Sequence, residues 1–257
     1  MKEKEIVLRG GLVSSPVKVG ETVRRTAGAW TPAVHALLEH LAAKGFDFSP
    51  RPLGIDEKGR EILTYLPGKS LHRPWISVLK TDEGLRQVAR MVRLYHEAVA
   101  DFRLPAGMPW RIGPVQLRPG QIIRHGDLGP WNTLWQGNKL AALIDWDLAE
   151  PADRITDVAQ MVWYFVPLRG ERGWREAGFD GRPDFWHRLQ VMTREYGDFS
   201  PDEVLSALLD LQKLDLARTA ELGGSGKYPW SLFWDRGGME LLTDENTWLK
   251  EFMHEAG

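Results

Sequence analysis

His125-Gly126-Asp127-Leu128-Gly129-Pro130-Trp131-Asn132, followed by Ile144-Asp145-Trp146-Asp147, decides how this 257-residue chain is read. A histidine, an aspartate and a leucine precede an asparagine in the spacing H-x-D-L-x-x-x-N, and a second aspartate closes an apolar run. Four named residues at fixed offsets recur by chance about once per 160,000 windows, against on the order of a few hundred windows in this chain. The flanks read as strands: Gln121-Ile122-Ile123-Arg124 enters the loop, and Thr133-Leu134-Trp135 and Leu140-Ala141-Ala142-Leu143-Ile144 border the turn-rich Gln136-Gly137-Asn138-Lys139. Such a hairpin returns Asp145 to the neighbourhood of Asn132.

Two carboxylates and one amide in this order suit phosphoryl transfer, a reaction that needs positioning and charge neutralisation more than covalent help. Asp127, at the loop apex, is the expected catalytic residue, accepting or orienting the proton of an acceptor hydroxyl. Asn132 lies far enough along for the loop to turn back and offer its amide oxygen to magnesium. Asp145 is the expected main carboxylate ligand, bridging the metal to the β- and γ-phosphates. Magnesium takes hard oxygen ligands, and one or two carboxylates plus phosphates suffice.

These residues resemble the aminoglycoside phosphotransferase family, also called the phosphotransferase enzyme family, whose members read H-G-D-[LI]-x-x-x-N, then I-D-[FW]-[DE], then a further aspartate opening a helix. Here the last is Asp157, in Asp153-Arg154-Ile155-Thr156-Asp157-Val158-Ala159. The resemblance runs from about Gly10 to Trp163; beyond it only helical composition is shared. It implies an α+β, bilobal protein-kinase-like fold, with a small β-rich N-lobe over residues 1–66 and a larger, mainly helical C-lobe over 67–257. It also implies ATP or GTP as donor, Mg2+, and a small-molecule acceptor with an alcohol group. The alternative is a nucleotide-binding, pseudokinase-like regulatory protein without efficient transfer.

The residues themselves, together with this resemblance, suggest further roles. Strands at Glu5–Arg9 and Val17–Val19 would be joined by a glycine-containing loop whose Ser14 and Ser15 hydroxyls lie over nucleotide phosphates. On the third strand, alternation sets Val23 and Arg25 on one face and Thr22 and Arg24 on the other. Val23 would touch the adenine and Arg25 the phosphates. Arginine departs from the usual lysine, though its planar fork can grip phosphate oxygens; Arg24 is the other candidate. Thr31-Pro32 reads as a hydroxyl N-cap with proline in the first turn of a helix over Ala33–Lys44, whose only acid, Glu39, would pair with the strand arginine. Backbone groups of Thr64, Tyr65 and Leu66 would form the hinge that bonds the nucleotide base. His125 and Asp157 would hold the loop in shape, and Asp147 would bind metal indirectly or orient the loop. A long helix over Gly84–Phe102 carries His96, read as structural.

Composition agrees with an enzyme of this kind. Hydrophobic residues make up 43%, enough for a sizeable core, and the absence of cysteine excludes disulfide and thiolate chemistry. No signal peptide or membrane span is visible in the sequence, so the expected address is cytoplasmic, with no membrane partner. Residues 1–170 carry 23 Lys+Arg against 18 Asp+Glu, a net +5, whereas the remainder carries −7. A basic front half suits an anionic nucleotide and an acidic rear half a cationic acceptor. No basic stripe with stacking aromatics suggests nucleic acid. Helices are expected over Arg182–Tyr196, Pro201–Leu222 and Asp244–His254, the second opened by a capping box at Ser200 and Glu203. Gly223-Gly224-Ser225-Gly226-Lys227-Tyr228 resembles a phosphate-binding P-loop, but Tyr228 stands where the motif needs a serine or threonine, and the segment reads as a linker.

Overall fold

The computed structural model describes residues 4–8, 16–70 and 75–256; Ser14, Ser15 and their loop lie outside the described residues. The chain folds into two lobes. Five short antiparallel strands build the first: β1 (Ile6–Val7), β2 (Val17–Val19), β3 (Thr22–Thr26), β4 (Pro52–Ile55) and β5 (Arg60–Thr64), in the order β1-β2-β3-β5-β4. Helix α1 (Thr31–Ala43) crosses between β3 and β4. Its period of 3.6 residues buries Val34, Leu37, Leu38 and Leu41 and turns Glu39 to solvent. Pro32 sits in the first turn, as its fixed φ favours. The cap position belongs to Trp30, however, and Thr31 is the first helical residue, with its hydroxyl accepting from the Gly28 amide at 2.9 Å.

Strand β6 (Lys69–Ser70) opens the second lobe, and α2 (Asp82–Ala98) follows. Thr81 caps α2 by accepting from the Gly84 amide, and Asp82 and Glu83 face the positive end of the helix dipole. Three strands surround the decisive stretch: β7 (Ile122–Arg124), β8 (Thr133–Gln136) and β9 (Lys139–Leu143), with β10 (Glu150–Ala152) pairing β7. β8 and β9 form the hairpin read from the sequence, and β6 adds to its outer edge.

The rest is helical: α3 (Arg154–Phe165), α4 (Gly170–Glu176), α5 (Phe185–Tyr196), α6 (Pro201–Arg218), α7 (Trp230–Asp235) and α8 (Gly238–Ala256). Ser200 and Glu203 make both hydrogen bonds of the capping box that starts α6. After α6 the chain continues through a π turn at Thr219–Gly223, so the P-loop look-alike begins at a helix end packed against α7. Buried Trp146, Trp163, Tyr95 and Phe165 fill the core beneath the loop, with Leu189, Leu208 and Leu249 supplied by α5, α6 and α8. Among the described residues no helix is long and apolar enough to cross a membrane.

Candidate active site

Strand β7 delivers the loop with Ile122 and Ile123 buried on either face. The chain then turns at Gly126, whose φ of +81° and close approach to Leu148 admit no side chain: an added Cβ would lie 1.9 Å from the Leu148 carbonyl oxygen. All four amides from 125 to 128 are tied to side chains. Asp157 on α3 accepts from His125 N at 2.8 Å and Gly126 N at 3.4 Å. His125 Nδ1 accepts from Asp127 N at 3.3 Å, and Gln160 Oε1 accepts from Leu128 N at 2.8 Å.

The His125 ring is thereby confined to one neutral tautomer. Nδ1 accepts, so Nε2 carries the proton and donates to the Ile144 carbonyl at 3.2 Å. Burial against Trp146, 4.5 Å between ring centroids, depresses the imidazole pKa and keeps the ring uncharged. Asp157 goes the other way. Burial works against its charge, but the hydrogen bond from His96 and the charge of Arg124 outweigh burial and hold the carboxyl below its usual range. His96 Nε2 donates to Asp157 at 3.2 Å, and its Nδ1 accepts from the Tyr196 hydroxyl at 2.8 Å. His96 is fully buried in this chain of contacts.

At the apex, Asp127 accepts from Trp131 Nε1 at 3.2 Å and from Asn132 Nδ2 at 2.7 Å. Burial first, then the charge of Asp145, pushes its carboxyl up to about 7; the Asn132 and Trp131 hydrogen bonds pull the other way. Asn132 also donates to the Asp127 carbonyl at 2.9 Å, which turns its amide nitrogen inward and leaves its oxygen for another partner. The Ile144 amide donates to the Asn132 carbonyl at 2.9 Å, so the hairpin sets Asp145 beside Asn132. In Asp145-Trp146-Asp147 the side chains alternate, with both acids toward the cleft and Trp146 in the core. Asp145 holds φ at +63°, a conformation uncommon outside glycine and found where function fixes the backbone.

Arg25 reaches this pair from the other lobe. It donates to Asp145 Oδ1 at 2.8 Å and to Asp147 Oδ1 at 2.6 Å, and its Nε pairs with Glu61. Alternation along β3 gives Arg25 to the cleft, while Arg24 turns away to Thr22 and Asp56. Val23, half-buried opposite Leu63, shares the Arg25 face. The expected Arg25–Glu39 pair is not formed. Glu39 is exposed, and Glu61, directly across the ladder on β5 and 1% exposed, takes its place with His35 of α1 at 3.1 Å. Arg111 adds a second cation: it donates to Asp147 Oδ2 at 3.3 Å and stacks 4.3 Å over the Trp30 ring. Burial raises the Asp147 carboxyl, against the pull of Arg25.

The hinge differs in detail from the sequence expectation. The amides of Thr64 and Tyr65 already donate to the Arg51 and Glu21 carbonyls, both at 2.9 Å, because the strand pairing extends to the lobe boundary. Among the described residues, the Leu66 amide has no such partner. Glu61, His35, Arg111, Gln160 and Tyr164 were not read as site residues from the sequence. Only Gln160 carried a local signal, three residues beyond Asp157 on one helix face.

A hard divalent cation fits the Asp145 and Asn132 oxygens. The Asp145 side chain is 37% exposed, its φ is +63°, and its charge adds to what raises the Asp127 carboxyl. Among the described residues no group of three or more acids, histidines or cysteines is arranged to hold a metal ion by itself.

One side of the loop is aromatic. Trp131 meets Tyr164 edge-on at 4.6 Å, and Trp75, Pro167 and Arg169 complete a cleft beside them. Arg169 is held by Glu245 at 2.8 Å.

Comparison with known proteins agrees with this fold. The sequence pattern described as the phosphotransferase enzyme family matches residues 103–191. A curated relative, the trifolitoxin immunity protein of Rhizobium leguminosarum bv. trifolii, is 33% identical over 199 residues, covering 75% of this chain and 74% of that protein. Solved structures share the fold at low identity. Aminoglycoside 2'-phosphotransferase-IIIa, as its GDP complex, superposes with a TM-score of 0.63 at 14% identity, covering 96% of this chain and 93% of that one. An amicoumacin kinase with AMP-PNP and Ca2+ gives 0.66 at 10%, covering 95% and 88%. A choline/ethanolamine kinase family protein from Mesorhizobium loti gives 0.59 at 16%, covering 96% and 92%.

Proposed function

The chain belongs to the phosphotransferase enzyme family, and from that premise we propose that it transfers the γ-phosphoryl group of ATP or GTP to a hydroxyl of a small acceptor. The observation that carries this reading is the convergence of Asp127, Asn132 and Asp145. A hydrogen bond of 2.7 Å joins Asn132 to Asp127, and a backbone bond of 2.9 Å ties Ile144, the residue before Asp145, to Asn132.

Each residue then has one task. Asp127 takes or orients the acceptor proton, and its pKa near neutrality matches a base that works near pH 7. Asp145 and the Asn132 oxygen would hold Mg2+, which when bound neutralises charge on the phosphates. Arg25 exchanges Asp145 for phosphate oxygens, with Glu61 keeping its guanidinium in line. Val23 covers the base and the Leu66 backbone bonds its edge. Ser14 and Ser15 would add hydroxyl donors over the phosphates. His125, Asp157 and Asp147 hold the loop and the arginine.

The acceptor hydroxyl reaches Asp127 past Trp131 and Tyr164. Because the relative is a trifolitoxin immunity protein, the acceptor panel includes antibiotic-like hydroxyl compounds beside amino-sugars and amino-alcohols. With labelled Mg-ATP and Mg-GTP, the wild type should label at least one of these. Asp127→Ala should label none while still binding nucleotide. The second reading, nucleotide binding without transfer, rests on Arg25 occupying Asp145. It wins if the wild type binds Mg-nucleotide tightly and yet labels nothing across the panel.

A further inference from the structure

Gln160 has a part in this site that its sequence position alone does not reveal. It is 4% exposed, one turn beyond Asp157 on α3, and its amide makes two bonds to the loop. Oε1 accepts from the Leu128 amide at 2.8 Å, and Nε2 donates to the Gly126 carbonyl at 3.1 Å. These two backbone groups belong to the residues immediately before and after Asp127. A carboxamide carries one acceptor and one donor in a fixed plane, so a single side chain brackets the peptide units on both sides of the apex. The partners also fix its orientation, since an N–H requires the oxygen and a carbonyl requires the nitrogen.

Asp157 cannot do this job. Ionised, it only accepts, and it serves His125 N and Gly126 N upstream of the apex. The Gly126 carbonyl and the Leu128 amide would be buried without Gln160, and the Asp127 Cα could then swing about the two flanking peptides. A displacement on the order of 1 Å at a reacting group can cost about 100-fold in rate.

We propose that Gln160 is a positioning residue which sets the direction of the Asp127 carboxylate, and with it the rate of transfer, without touching either substrate. The proposal rests on the phosphotransferase reading of Asp127. Gln160→Met removes both bonds at similar volume. Gln160→Glu keeps the acceptor, but while ionised it lacks the donor and sets a charge against the Gly126 carbonyl. Protonation of that introduced carboxyl returns a donor.

Phosphate release from labelled Mg-ATP, with water or any labelled acceptor, is followed with nucleotide concentration from pH 5.5 to 8.5. Amide exchange is measured over residues 125–129 and over α6. Gln160→Met should lower kcat by about 10- to 100-fold with KM for Mg-ATP within about 2-fold, because the nucleotide contacts are intact. Gln160→Glu should be poor at pH 8 and recover relative to wild type as the pH falls. Both variants should lose exchange protection over 125–129 and keep it in α6. Unchanged kcat in Gln160→Met, an equal loss in nucleotide affinity, or a pH-independent ratio for Gln160→Glu each overturns the proposal. If the wild type releases and transfers no phosphate, the phosphotransferase reading fails, and exchange alone decides on Gln160: unchanged protection over 125–129 rejects it.

Discussion

The two sides of Asp127 handle charge in opposite ways. On the Arg25 side, each of the acids named has a cation. Asp145 and Asp147 share Arg25, Asp147 adds Arg111, and Glu61 closes the network from the neighbouring strand. On the aromatic side the walls are Trp131, Tyr164 and Trp75, and at Asp215 burial outweighs the cations near it. Burial pushes Asp215 of α6 up to about 6 despite the charges of Arg124 and Arg218, and Asp127 rises to about 7. In the proposed reaction the difference suits a donor that arrives with its own anions and metal and an acceptor that must give up a proton. A balanced network can exchange partners at little cost, whereas a desolvated carboxyl is driven to find one.

The largest effect should come from the unbalanced side. Asp127→Asn should cost about 10^2- to 10^4-fold in transfer with nucleotide binding kept, read by labelled-phosphate transfer and calorimetry. The same change should stabilise the fold at high pH. The carboxyl titrates near 7 in the folded chain and near 4 in the unfolded one. The folded state therefore binds the extra proton, and stability from this group is present at low pH and lost as pH rises from about 4 to 7. Thermal melts should show Asp127→Asn above wild type at pH 8, by about 1 kcal/mol or more after allowance for partial exposure, and equal to it near pH 4.

On the balanced side, Arg25→Met leaves Glu61 buried without its cation. It should destabilise by about 3 kcal/mol and weaken Mg-nucleotide binding, measured by denaturant melts and titration. Arg25→Lys should keep part of the charge but lose the fork that spans Asp145 and Asp147. Gly126→Ala tests the backbone between the two sides: with φ at +81° and the Leu148 carbonyl in the way, it should cost about 2 kcal/mol or more in chemical denaturation. The smallest effect is expected from Trp131→Phe. Losing the indole N–H removes a bond that lowers the Asp127 pKa, so the acid limb of the pH–rate profile should move upward by a fraction of a unit.

The acids beside Arg25 and the loop are legible in the sequence because they are local. From His125 to Asp147 the spacing, the hairpin and the alternation about Trp146 all lie within one short stretch, and each maps onto the fold at its own position. What escaped the reading was non-local. Glu61 meets Arg25 only because β5 pairs β3 across α1 and β4, a register that neither strand states by itself. Glu39 was chosen from its helix, and the helix's apolar stripe turned it to solvent. The Thr64 and Tyr65 amides are consumed by partners at Arg51 and Glu21, which no window around the hinge contains. Arg111 and Tyr164 reach the cleft from a long loop and from the far end of α3, where composition gives only bulk.

One measurement bears on the whole account most directly: transfer of label from the γ-position of ATP or GTP to the acceptor panel, run with and without Mg2+ on the wild type, Asp127→Ala and Asp145→Asn. Metal-dependent labelling of a hydroxyl compound by the wild type alone is expected, with Asp127→Ala still binding Mg-nucleotide and Asp145→Asn requiring much more metal to bind it. Labelling that survives Asp127→Ala, or nucleotide binding indifferent to both Mg2+ and Asp145→Asn, would contradict it.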